Sequence, residues 1–209
     1  LIDLSGAARL ESFVEKQLAK MHPEPLPKAD TYMWPPRPEP EDASLTVPVS
    51  SMRNLTDKLA KDGTLTWDVP PGEWIIQRVG MTPTGMRNAP ASPQGQGLEV
   101  DKMNRTFVGG HFDSFIGQLL KRMPAADRKA FTRVVADSYE MGSQNWTDDL
   151  DLAFQAEYGY DPKPWLPVLS GRVVGSVMQS DRFLWDLRRI VADRVATEYV
   201  GGLNAMANE

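Results

Sequence analysis

The feature that most constrains this chain is a short apolar run that ends in polar sequence and is followed by helical periodicity. Phe131 to Ala136, with Val134, Val135 and Ala136 at its end, reads as a buried strand. A polar loop follows, Asp137-Ser138-Tyr139-Glu140-Met141-Gly142-Ser143-Gln144-Asn145-Trp146-Thr147. Asp148 or Asp149 can then cap a helix carrying Leu152, Phe154 and Ala156, stopped by Gly159 in the C′ position. Strand, loop and helix make one βα unit. In a barrel of parallel strands, chemistry gathers at the C-terminal strand ends, which is where Asp137 and Glu140 fall.

The rest of the chain alternates between two periods. Residues 5 to 21 put Leu10, Phe13, Val14, Leu18 and Met21 on one helical face, with Ser5 as a cap. Eight of the 17 prolines lie between Pro23 and Pro48, and because proline removes a donor and blocks helix continuation, that stretch reads as a loop or extended linker. From Gly63 the period becomes two: Leu65, Trp67 and Val69 alternate, Pro70-Pro71-Gly72 turns the chain, and Trp74, Ile76 and Arg78 return as a hairpin. A helix is expected over 111–122, with Phe112, Phe115, Ile116, Leu119 and Leu120 on one face, and a loop from Pro162 to Gly171. From Ser180 onward, Phe183, Leu184, Leu187, Ile190, Val191, Val195, Tyr199 and Leu203 mark a long amphipathic helix, in which Arg182, Arg188 and Arg189 can pair with Asp181, Asp186 and Asp193. The start without methionine, and the stop at Asn208-Glu209 inside a helical pattern, read as an internal fragment.

Composition removes several function classes. A net charge of −5 offers no basic field for a phosphate backbone, which argues against nucleic acid as a partner. No apolar run approaches the roughly 20 residues that span a bilayer, and no signal peptide is visible. The absence of cysteine excludes disulfides, thiolate nucleophiles and sulfur-bound zinc, but leaves the compartment open. The histidines are His22, in Pro-rich sequence, and His111, at the head of a predicted helix, so acid/base work falls to carboxylates. No GxxxxGK[ST] loop exists, and Gly95-Gln96-Gly97-Leu98-Glu99-Val100 lacks the third glycine of a dinucleotide fingerprint.

Within the polar loop, Tyr139, Met141 and Trp146 can desolvate a carboxyl at Asp137 or Glu140 and raise its pKa, as a general acid requires. A carboxylate that caps the following helix is the competing use. Gln144, Asn145 and Trp146 suit a hydroxyl-rich ligand, because amides donate and accept together while an indole covers the apolar face of a sugar ring. Glu99, Asp101 and Lys102 form a charged triplet that can meet sugar hydroxyls, hold a divalent cation through oxygen, or simply pair at a surface.

Four segments carry a family likeness: Gly63 to Trp74, Gly97 to Lys102, Asp137 to Thr147, and Gly159-Tyr160-Asp161 through Leu166-Pro167. In order and in content they resemble the α-L-rhamnosidases of glycoside hydrolase family 106. The resemblance implies a catalytic (β/α)8 barrel with accessory β-domains, inversion through a pair of glutamates, and dependence on calcium. Glu140 matches the motif that supplies the acid, and the second glutamate is expected beyond Glu209. An inverting pair stands roughly 6.5–9.5 Å apart to admit the attacking water. The expected fold is therefore α/β plus β: a partial accessory β-sandwich domain over 1–80, with its N-terminal helix and Pro-rich linker, joined to a partial (β/α)8 barrel over 81–209. The implied substrate is a rhamnose-containing oligo- or polysaccharide, and the implied location periplasmic or secreted. Two alternatives stay open, a glycosidase of other specificity and a carbohydrate-binding β-module.

Overall fold

The computed structural model describes residues 7–10, 38–136 and 144–208. In chain order its main elements are α1 (Arg105–Phe112), a π-helical turn (Asp113–Gly117), α2 (Gln118–Arg122) and α3 (Leu150–Tyr158). A 3-10 helix (Lys163–Ser170), α4 (Val177–Arg194), a second π-helical segment (Val195–Val200) and α5 (Gly201–Ala207) complete the set.

No β-strand forms among the described residues, which contain only isolated bridges such as Leu59↔Leu65 and Val47↔Val174. The expected α/β-plus-β architecture, a barrel segment joined to part of a β-sandwich, is corrected accordingly: this is a helical structure. The reason lies in pairing, since a strand needs a neighbour to take its N–H and C=O groups and alternation alone does not supply one. Phe131 is extended (φ −86°, ψ 91°), but no residue of Phe131–Ala136 is strand, and Val135 is 86% exposed rather than buried. Pro70 to Gly72 does bend the chain, with Gly72 at φ 132°. Its arms nonetheless form no ladder: Trp67 and Trp74 meet edge to face at 5.1 Å, the Trp74 indole N–H donates to the Pro70 carbonyl at 3.0 Å, and Val69, Ile75, Ile76 and Val79 stay exposed.

Helical periodicity is obeyed more closely. α3 ends as expected at Gly159, whose φ of 77° suits glycine. The helix expected over 111–122 starts earlier, at Arg105, because Asn104 accepts from the Thr106 N–H at 3.0 Å and so caps it. Pro162 to Gly171, read as a loop, instead winds into the 3-10 helix and closes on Gly171 in the left-handed region (φ 89°). The last helix runs from Val177 with the expected Arg182–Asp186 and Arg189–Asp193 pairs, at 3.8 and 3.3 Å. The helix read over 5–21 lies, apart from residues 7–10, outside the described residues, as does most of the Pro-rich stretch.

Two compact units partition the chain. One takes its described residues from 7–10, 38–80 and 151–186. Its core joins Leu10, Phe154, Val168, Val173, Val174, Phe183 and Leu184, with Phe154 touching the rings of Tyr158, Tyr160 and Phe183 at 4.8–5.9 Å. The Tyr160 hydroxyl donates to Asp186 at 2.9 Å, while Asp161 accepts from the Lys163 N–H at 2.9 Å, so the Gly159-Tyr160-Asp161 motif serves as a structural corner here. Two short extended pieces flank Val173: Leu10 N–H donates to Gly171 and Val47 N–H to Val173, at 2.8 and 2.9 Å. Ser180 Oγ then accepts from the Val174 N–H and donates to its carbonyl, both at 2.9 Å.

The other unit takes its described residues from 81–136, 144–150 and 187–208 and buries Met103, Val108, Leu150, Leu187, Ile190 and Val191. Arg105 donates to the Thr197 carbonyl at 2.8 Å and pairs with Glu198 at 3.4 Å. A methyl placed on Gly109 would come within 3.1 Å of Met206, so α1 and α5 approach closely because a side chain is missing there.

The start of α4 depends on a residue distant in sequence. Glu39 accepts from the N–H groups of Val177 and Met178, at 2.8 and 3.3 Å, filling donors that the first helical turn leaves open. Glu39→Ala is expected to lower stability by about 1 kcal/mol, read as a fall in the urea midpoint at unchanged m-value. An unchanged midpoint would show that water replaces the carboxylate without loss.

Candidate active-site cluster

Of the residues that the sequence singles out, Asp137, Tyr139 and Glu140 lie outside the described residues. The others fall in one unit, where Asp101 organises most of them. The segment ahead of α1 turns back on itself as Asp101 Oδ1 accepts from the Met103 N–H at 2.8 Å. The same oxygen accepts from Gln144 Nε2, and Oδ2 accepts from the Thr147 hydroxyl at 2.6 Å. Gln144 returns a bond, its Oε1 accepting from the Lys102 N–H at 3.1 Å. Two pieces of chain more than 40 positions apart are thus joined by three hydrogen bonds, two of them to the Asp101 carboxylate, which also holds its own turn through Met103.

Lys102 lies almost wholly buried, pairs with Glu99, and places Nζ 5.5 Å from the centre of the Tyr199 ring. A buried ammonium needs both a counter-ion and a polarisable wall, and Glu99 and the ring supply them. Burial first, and the Glu99 charge second, hold the Tyr199 phenol above its ordinary pKa. Asn145 and Trp146 are half-buried, between Gln144 and the fully buried Thr147.

The structure therefore brings Glu99, Asp101, Lys102 and Gln144 together and sets Asn145 and Trp146 beside them. Thr147 and Tyr199 complete the cluster, and sequence reasoning missed both roles. Thr147 was visible only as the last residue of the polar loop, and Tyr199 only as one position in an apolar helical stripe.

Calcium does not fit this cluster. Among the described residues no group of three or more Asp, Glu or His side chains could hold a metal ion. The acidic oxygens at hand are engaged by donors, Asp101 by three and Glu99 by the Lys102 ammonium, whereas calcium takes six to eight oxygen ligands.

Comparison with known proteins decides the family. The glycoside hydrolase family 106 model, described as alpha-L-rhamnosidase, matches residues 1–209. The chain belongs to glycoside hydrolase family 106. It is 42% identical over 146 residues to a Formosa agariphila protein named "Putative beta-glucuronidase", a match covering 70% of this chain and 13% of that protein. It also superposes on the structure of a rhamnosidase from Novosphingobium sp. PP1Y with a TM-score of 0.64 and 36% identity, over 77% of this chain and 16% of that one. The family 106 chain thus spans a small part of the length of these relatives. Among the described residues no helix is long and apolar enough to cross a membrane.

Tyr199 gives a pH test of the cluster. Its folded pKa is raised above the unfolded value of about 10, so its contribution is complete below that pH and is lost as pH rises through the folded value. Stability is expected to fall above about pH 10, and Tyr199→Phe to flatten that fall, as read by urea midpoints across the alkaline range. An identical alkaline slope in both proteins would show that Tyr199 ionises freely.

Proposed function

We propose that the protein is an α-L-rhamnosidase, removing terminal α-L-rhamnosyl residues from rhamnose-containing oligo- or polysaccharides with inversion. The observation that carries the reading is the family match along the whole chain, supported by the rhamnosidase neighbour at 36% identity. Glu140 is assigned as general acid. It gives its proton to the glycosidic oxygen as the bond to the anomeric carbon breaks. A second carboxylate takes a proton from the water that attacks the opposite face. Trp146 and Asn145 are assigned to the sugar, the indole covering an apolar ring face and the amide meeting hydroxyls. Action in the periplasm or outside the cell rests on the family alone.

The relative named for beta-glucuronidase activity motivates a second reading, a glycosidase of other specificity. A uronic acid carboxylate asks for a cation, and the buried cation of this cluster, Lys102, already holds Glu99. That favours a neutral sugar. Full-length protein assayed on aryl α-L-rhamnoside and aryl β-D-glucuronide is expected to turn over the first; turnover of the glucuronide alone would replace the proposal.

The acid assignment has its own signature. Glu140→Gln keeps the size of the side chain and removes its proton, so sugar leaving groups should lose at least roughly 100-fold in kcat/KM, and activated aryl leaving groups less. An equal, mild loss on both classes would make Glu140 structural.

A further inference from the structure

Asp101 reaches both ends of the segment that carries the proposed sugar contacts. Its Oδ1 accepts from Gln144 Nε2 and its Oδ2 from the Thr147 hydroxyl, and Asn145 and Trp146 are the two residues between. With the Met103 N–H added, three of the roughly four acceptor directions of the carboxylate are in use, which leaves little of it for a ligand. Gln144 is committed in the same way, its amide donating to Asp101 and its oxygen accepting from Lys102 N–H. We propose that Asp101 is a positioning residue. It fixes the backbone on either side of Asn145 and Trp146, so that indole and amide meet the sugar already ordered rather than losing conformational freedom at each binding event. This assignment rests on the reading that Trp146 touches the sugar.

Coupling between Asp101 and Trp146 tests it. In full-length protein with an aryl α-L-rhamnoside, Trp146→Ala is expected to raise KM roughly tenfold, and Asp101→Ala by a comparable factor. The double variant should fall well short of the product of the two single effects, because with the indole gone Asp101 has only Asn145 left to position. Asp101→Asn should recover most of the lost affinity: its amide oxygen can still accept from Met103 and Gln144, while the Thr147 hydroxyl turns to accept from the new NH2. KM increases that multiply in the double variant would overturn the proposal, and so would an Asp101→Asn variant as impaired as Asp101→Ala, since the charge itself would then be needed. Where Asp101→Ala fails to fold, Thr147→Val removes one anchor at nearly constant volume and must show the same lack of additivity. If Trp146→Ala leaves KM unchanged, the sugar-contact reading falls and takes this one with it. A Trp146 effect without coupling to position 101 sinks the positioning role alone.

Discussion

A carboxylate partly withdrawn from water has to find donors, and the way Asp101 finds them organises the unit around it. Each donor comes from a different place: a backbone N–H two residues on, a side-chain amide at 144 and a hydroxyl at 147. Satisfying them fixes the turn ahead of α1, and that turn delivers Lys102 to Glu99 and to the face of Tyr199. The fully buried Thr147 in turn passes its carbonyl to the Leu150 N–H at 3.2 Å, which ties the cluster to the start of α3. Hydrogen bonds to a charged group are stronger than neutral ones, so such a hub holds geometry better than apolar contact alone would.

In the other unit the same accounting explains why extended segments occur without a sheet. Val173 and Val174 are fully buried, and their backbone groups are taken by Val47 on one side, by Ala8 on another, and by the Ser180 hydroxyl. Once those groups are satisfied, no ladder is needed to bury the valines. Helix α4 can begin at once, its free N–H groups closed by Glu39 and by Ser176, which accepts from Gln179 at 3.1 Å.

What was legible in the sequence follows from range. The stop of α3 at Gly159, the i,i+4 charge pairs of the last helix and the Pro70-to-Gly72 bend depend on residues within a few positions of one another, and each is found. The strands were not legible. Alternation at Leu65, Trp67 and Val69 reports an extended backbone, but it carries no information about whether another segment lies alongside to pair with it. The start of the Arg105 helix was missed because its cap, Asn104, stands in a charged stretch without apolar periodicity. At the cluster, the chemistry of Glu99, Asp101, Lys102 and Gln144 is legible in the sequence and the four do meet, whereas the partnership of Asp101 with Thr147 joins residues 46 apart and leaves no local trace.

The Glu99–Lys102 pairing bears on whether this cluster could receive a carboxylate. For Lys102 to greet a substrate carboxylate, it would have to release Glu99, whose side chain is only 18% exposed. One carboxylate would replace another around the same ammonium, so the Coulomb gain nearly cancels. The displaced glutamate would remain largely desolvated and unpaired, at a cost on the order of 3 kcal/mol, or a factor of about 100 in affinity. A ligand without a carboxylate avoids that exchange. The pairing of Lys102 therefore makes this cluster a poor receptor for a further carboxylate, without any residue dedicated to excluding one.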